Sequence, residues 1–223
     1  MTTTRTSTLL AAAWLSLSTA AVADTPTKTQ APATSAAPAS AKEISTRLAS
    51  TQATLRDLWL GHIFWVREVV QGLVHKDPAA VQQAEQQVVA NAKQLAGSIE
   101  PFYGQAASQQ LMKLLSGHYA AVKAHATATV AGNTADAKHA LDQMLANADE
   151  IAKFLSSANP NLPESAVRSL FAAHGGHHVQ QDQQLAAHQL AEEARTWQAM
   201  KDHMYVIADT LANAIAKQFP DRF

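Results

Sequence analysis

Ten histidines stand in a chain of 223 residues that has no cysteine. Imidazole is the commonest metal ligand in proteins. With thiolate excluded, a metal here would be held by imidazole, carboxylate, amide oxygen or thioether. The same absence excludes disulfides, c-type haem attachment and cysteine nucleophiles. Position along the chain separates the ten. His62, His118, His125, His174 and His178 fall on apolar seams where three- and four-residue spacing asks for leucine. His203 lies beside Met200, Met204 and Ile207, at the edge of another apolar face. His75 and His139 fall at a helix end and on a polar face.

Burying an imidazole without a partner costs about 1–3 kcal/mol. Four helices that each turn a histidine inward therefore imply something that offsets the cost: a metal ion, a carboxylate network or a cofactor. The expected ligand set is His62, His118, His174 and His203, with His178, Asp149, Asn147 and Met200 as secondary candidates. His174 and His178 form an i,i+4 pair that can reach a common point. His125 lies two turns from His118, roughly 10 Å away, and would serve a second site or none. Histidine with nearby methionine suits copper; histidine with carboxylate suits zinc, nickel or iron. Asp202 and Asp209, flanking His203, are candidates for orienting a ligand.

Helices must position these side chains. From about Ala41 the helical period is continuous, and alternating strand patterns are absent. A first helix runs to about His75, and Asp77-Pro78 ends it and opens a second, running to about Ser98. Glu100 to Gly104 reads as a turn. A third helix follows to about Val130, and Gly132-Asn133-Thr134 leads into a fourth. Asn159 to Glu164 is the next break, with Pro163 at the start of a fifth helix. Gly175-Gly176 resembles a turn, yet a helix from 177 to 218 would be about 62 Å long. A compact bundle therefore requires the last turn near 186–190. The expectation is all-α: an antiparallel bundle of about six helices with a four-helix core.

The ends imply export. Arg5, the apolar run Leu9 to Ala21 and Ala21-Val22-Ala23 read as a signal peptide over residues 1–23. Residues 24–42, rich in Pro, Ala, Thr and Ser, read as a disordered linker, and 43–223 as the bundle domain. The expected location is periplasmic or secreted, with no transmembrane segment after cleavage. The chain carries a formal charge of −1 and no Lys/Arg cluster, which argues against nucleic acid. Paired Glu-x-x-His, His-Glu-x-x-His, Gly-x-Ser-x-Gly and phosphate-loop motifs are missing, so no enzyme class is indicated.

The segment from Leu55 to Arg67, which contains Leu58-Trp59, His62, Trp65 and Arg67, resembles the opening of an uncharacterised family of bacterial exported helical proteins. Pro101 to Gly104, Asn147 to Pro160 and the ending Lys217 to Phe223 fit the same family. The resemblance covers about 45–223. It implies a helical fold and histidines at the positions of His62, His118, His174 and often His203, but no activity. Gly175, Gly176, His177, His178 and His188 depart from the family pattern, where an ordinary helix with threonine and acidic residues is found. The functional expectation is an exported metal buffer, carrier or sensor, copper or zinc being favoured. The alternatives are an envelope interaction or stress module whose histidines are satisfied internally, and a haem or metal-dependent redox protein.

Overall fold

The structure is a computed structural model that describes residues 41–223, with side chains from Thr46 onward. The expected signal peptide over 1–23 and the expected linker up to residue 40 lie outside the described residues, and 41–42, the end of that expected linker, are already helical. Six helices follow one another: α1 (Ala41–Val74), α2 (Pro78–Ser98), α3 (Glu100–Val130), α4 (Thr134–Ala158), α5 (Glu164–Ala186) and α6 (Leu190–Gln218), before a short 3-10 turn at Pro220–Arg222. Among the described residues no strand occurs and no helix is long and apolar enough to cross a membrane.

The helices form three hairpins, and the hairpins repeat. Their joints end α1, α3 and α5 in the same way. Lys76, Gly132 and His188, spaced 56 residues apart, all have positive φ (55°, 71° and 56°). In each joint the next residue's N–H reaches back to a carbonyl five residues earlier: Asp77 to Gly72 at 2.9 Å, Asn133 to Ala128 at 2.9 Å, Gln189 to Gln184 at 2.8 Å. This is a Schellman motif, which satisfies carbonyls left over at a helix end. Asp77 and Asn133 then cap the following helix, the first by accepting from Ala79 and Ala80, the second from Asp136. The last turn thus falls at 187–189, with His188 where glycine is customary, and Gly175-Gly176 is continuous α5. The turn expected at 100–104 is a single helical turn ended by Gly104 (φ 81°).

The 56-residue period extends through the core. α1, α3 and α5 touch one another at the centre, and each outer helix also leans on the next hairpin: α2 on α3, α4 on α5, α6 on α1. Where a four-helix core was expected, the six-helix bundle has three inner helices with three around them. Repeat-equivalent residues build successive layers on the inner helices. Leu55, Leu111 and Val167 form one layer, and Trp59, Leu115 and Phe171 the next, all buried. His62, His118 and His174 come one turn further on, also 56 residues apart and also buried. Then come Val66, Val122 and His178. The apolar layers drive assembly, with about 25 cal/mol gained per Å² of apolar surface removed from water. The histidine layer sits between them.

Candidate metal centre

His62, His118, His174 and His178 come together. Each offers a ring nitrogen such that the four atoms lie within 4.8 Å of one another, and all four residues are buried. Nε2 of His174 and Nε2 of His178 lie 3.2 Å apart, at hydrogen-bond distance. The ring centroids of His62, His118 and His174 make a near-equilateral triangle with sides of 6.0, 5.6 and 5.4 Å. His178 stands over it at 6.0, 6.0 and 4.5 Å. Six edges of similar length describe a tetrahedron. A tetrahedral ion at 2.0–2.1 Å from four imidazole nitrogens sets centroids about 5 Å apart. The ligating nitrogens, now within 4.8 Å of one another, would draw in to about 3.3 Å around such an ion.

Local sequence explains the placement. Three histidines come from one repeat-equivalent position on three helices, so the quasi-threefold packing carries them to the centre. The fourth arises because α5 has His178 where α1 and α3 have Val66 and Val122, one turn from His174 on the same face. Outside the triangle, Asn91 Nδ2 donates to Leu58 O at 2.9 Å and Asn147 Nδ2 donates to Leu114 O at 3.1 Å. Gly61 and Gly117 make room, since a Cβ there would lie 3.2 and 3.3 Å from those amide nitrogens. The third equivalent is His203, whose Nε2 is 2.8 Å from Leu170 O. A carbonyl only accepts, so that Nε2 carries the proton and Nδ1 the lone pair.

The electrostatics keep the cluster neutral. Burial pushes His62 down to about 3, helped by His118. Burial takes His118 down to about 4, with Asn147 beside it pulling the other way. His174 and His178 are also driven well below the usual histidine range, by burial first and then by neighbouring histidines. Several ring nitrogens have no hydrogen-bond partner: Nε2 of His62, both nitrogens of His118, and Nδ1 of His174 and His178. The amide oxygens of Asn91 and Asn147 are likewise buried and unpartnered. His174 and His178 pair through their Nε2 atoms, yet the nitrogens left over still carry a desolvation cost of about 1–3 kcal/mol for each orphaned group. A cation on the lone-pair nitrogens would offset the part of that cost that falls on the ligating atoms.

Of the expected set, the structure brings His62, His118 and His174 together, and His178 joins them. His203 stands outside, half-exposed, bonded to Leu170 O and 5.4 Å from the ring of His177. Its apolar neighbours suggested an inward ligand; the repeat shows that it replaces an asparagine flanking the site. Asn147 flanks His118 as the amide described above. Asp149 is exposed and pairs with Arg168 at 2.8 Å. Met200 is wholly buried in the main core, at the position of Val88 and Met144. Asp202 bonds Gln198, and Asp209 bonds Arg56. His75, His139 and His188 are exposed. His125 is buried and satisfied, its Nδ1 2.7 Å from Asp182 Oδ2, while burial lifts Asp182 to about 6. The sequence reading missed Asn91 and this pair; the 56-residue period was the available signal for Asn91.

No protein-family model matches the chain, nor does any curated protein or solved structure.

Proposed function

We propose that this protein binds one transition-metal ion, zinc(II) in preference, on His62, His118, His174 and His178. The observation that carries this reading is four buried, neutral imidazoles with ligating atoms within 4.8 Å of one another. Neutral imidazole is the ligating form, so the site is poised without loss of a proton. Four nitrogen ligands in tetrahedral disposition suit zinc; the set contains no thioether or carboxylate to favour copper or iron. A site closed by four protein ligands holds an ion rather than activating water. A buffer, carrier or sensor follows, acting outside the cytoplasm if the leader-like residues 1–23 direct export.

The rings stand 4.5–6.0 Å apart, which leaves no space for a porphyrin among them and disfavours haem. An interaction module with internally satisfied histidines fits His125 and its partner Asp182; the buried ring nitrogens without partners on His62, His118, His174 and His178 argue against it. The test is calorimetric titration of chelator-treated full chain with zinc(II) and copper(II), beside elemental analysis of chain purified from its own cells. One tightly bound ion is expected in the wild type and none in His118→Ala. Equal affinity in both overturns the reading.

A further inference from the structure

On one flank of the histidine layer the third hairpin departs from the other two at several adjoining positions. Gly175 and Gly176 replace Ile63-Phe64 of the first hairpin and Tyr119-Ala120 of the second. A Cβ at either glycine would meet no atom within 4 Å. His177 replaces Trp65 and Ala121, and His203 replaces Asn91 and Asn147. Those two rings face each other at 5.4 Å and are both half-exposed. His177 Nδ1 is buried without a partner. His203 commits its Nε2 proton to Leu170 O, which leaves Nδ1 free to ligate. Each ring adjoins a buried ligand: His177 precedes His178 in sequence, and His203 and His174 interact electrostatically.

We infer that His177 and His203 form a second, shallower cation site, through which a transition-metal ion reaches the buried four-histidine centre along the flank opened by Gly175 and Gly176. The inference rests on the metal-binding reading above. Along the axis the centre is closed by large side chains, with Trp59 and Phe171 on one side and Val66 and Val122 on the other. Two imidazoles at the surface can take an ion from water while it sheds part of its hydration, then release it to four. Two ligands hold an ion more weakly than four, so the transfer runs inward.

Cobalt(II) tests the route, since its visible absorption intensifies when it enters a tetrahedral site. Metal-free full chain is mixed rapidly with cobalt(II) and the band is followed in time. The double variant His177→Ala/His203→Asn restores the residues of the second hairpin, and the new amide can keep the bond to Leu170 O. It should fill at least tenfold more slowly and reach the same final spectrum. Gly176→Phe restores the residue of the first hairpin at an exposed position and should slow filling by obstruction. Wild-type rates in both variants overturn the route and leave the buried centre standing. A wild-type chain that takes up no cobalt overturns the route and the buried centre together.

Discussion

Nε2 of His178 lies 3.2 Å from Nε2 of His174, and His178 occupies the position that valine holds in the other two hairpins. The fourth ligand is therefore a single-residue departure from a threefold pattern. His178→Val should lower zinc affinity by more than the factor of about 10–100 typical of losing an outer-shell partner. It should also convert a closed site into three histidines with an open position. Azide added to the cobalt-loaded variant should then shift its visible spectrum, while the wild type should not respond. A wild-type response equal to the variant's would show that the fourth imidazole does not ligate.

The same substitution removes a buried polar ring that has no partner for Nδ1. Metal-free His178→Val should be no less stable than metal-free wild type, the lost Nε2 contact to His174 being offset by removal of the orphaned Nδ1. Chemical denaturation in the presence of a chelator measures this. A less stable variant would mean that the ring is satisfied in the empty protein.

Acid should unfold the metal-free protein early. The four histidines titrate near 6.5 in the unfolded chain and far lower when folded, at about 3 for His62 and about 4 for His118. A lowered folded value means that their stabilising contribution is complete above pH 6.5 and is lost as pH falls toward the folded values. With all four titrating on unfolding, stability should drop by up to about 5 kcal/mol per pH unit. Asp182, raised to about 6, runs the opposite way, losing stability as pH rises toward 6, but it is one proton against four. Denaturation midpoints that stay level between pH 7 and 5 would contradict the depressed values.

Zinc uptake should release almost no protons. At pH 6, four ordinary histidines would together shed about three. Titration calorimetry in buffers of differing ionisation enthalpy counts protons directly. A count near zero at pH 6 is expected of rings that are already neutral; a count near three would place the ligands in water.

Asn147 should matter to the metal although it does not touch it. Its amide bridges Leu114 O and the neighbourhood of His118, and its unpartnered oxygen suits a ring N–H that fixes which nitrogen ligates. Asn147→Ala should weaken zinc binding about 10–100-fold. Asn147→Asp, which keeps the acceptor, should recover most of it, and a loss equal in both would assign the residue to packing alone.

Much of the fold could be read from periodicity, because apolar spacing decides which face of each helix is buried. Caps such as Asp77-Pro78 and Asn133-Thr134 are local chemistry. The turn at 187–189 was placed by length alone, since His188 adopts the left-handed conformation with no glycine to announce it. His62, His118 and His174 were visible as polar residues on apolar seams. The exchange of His203 for His178 was not, since heptad position cannot distinguish a ring that points to the axis from one that leans on a neighbouring carbonyl. Pairings such as Arg67 with Glu193, at 2.6 Å and 126 residues apart, need the tertiary fold. Aligning the chain with itself at an offset of 56 would have grouped His203 with Asn91 and Asn147.

Three like hairpins around one axis are what a homotrimer of a shorter chain would build. Such a trimer obeys its symmetry: residues off the axis come in threes, so it can place three or six imidazoles there but never four. Joining the hairpins end to end removes that arithmetic. A substitution in one of them is then made once, and an axial site can take a ligand number that exact threefold symmetry would forbid.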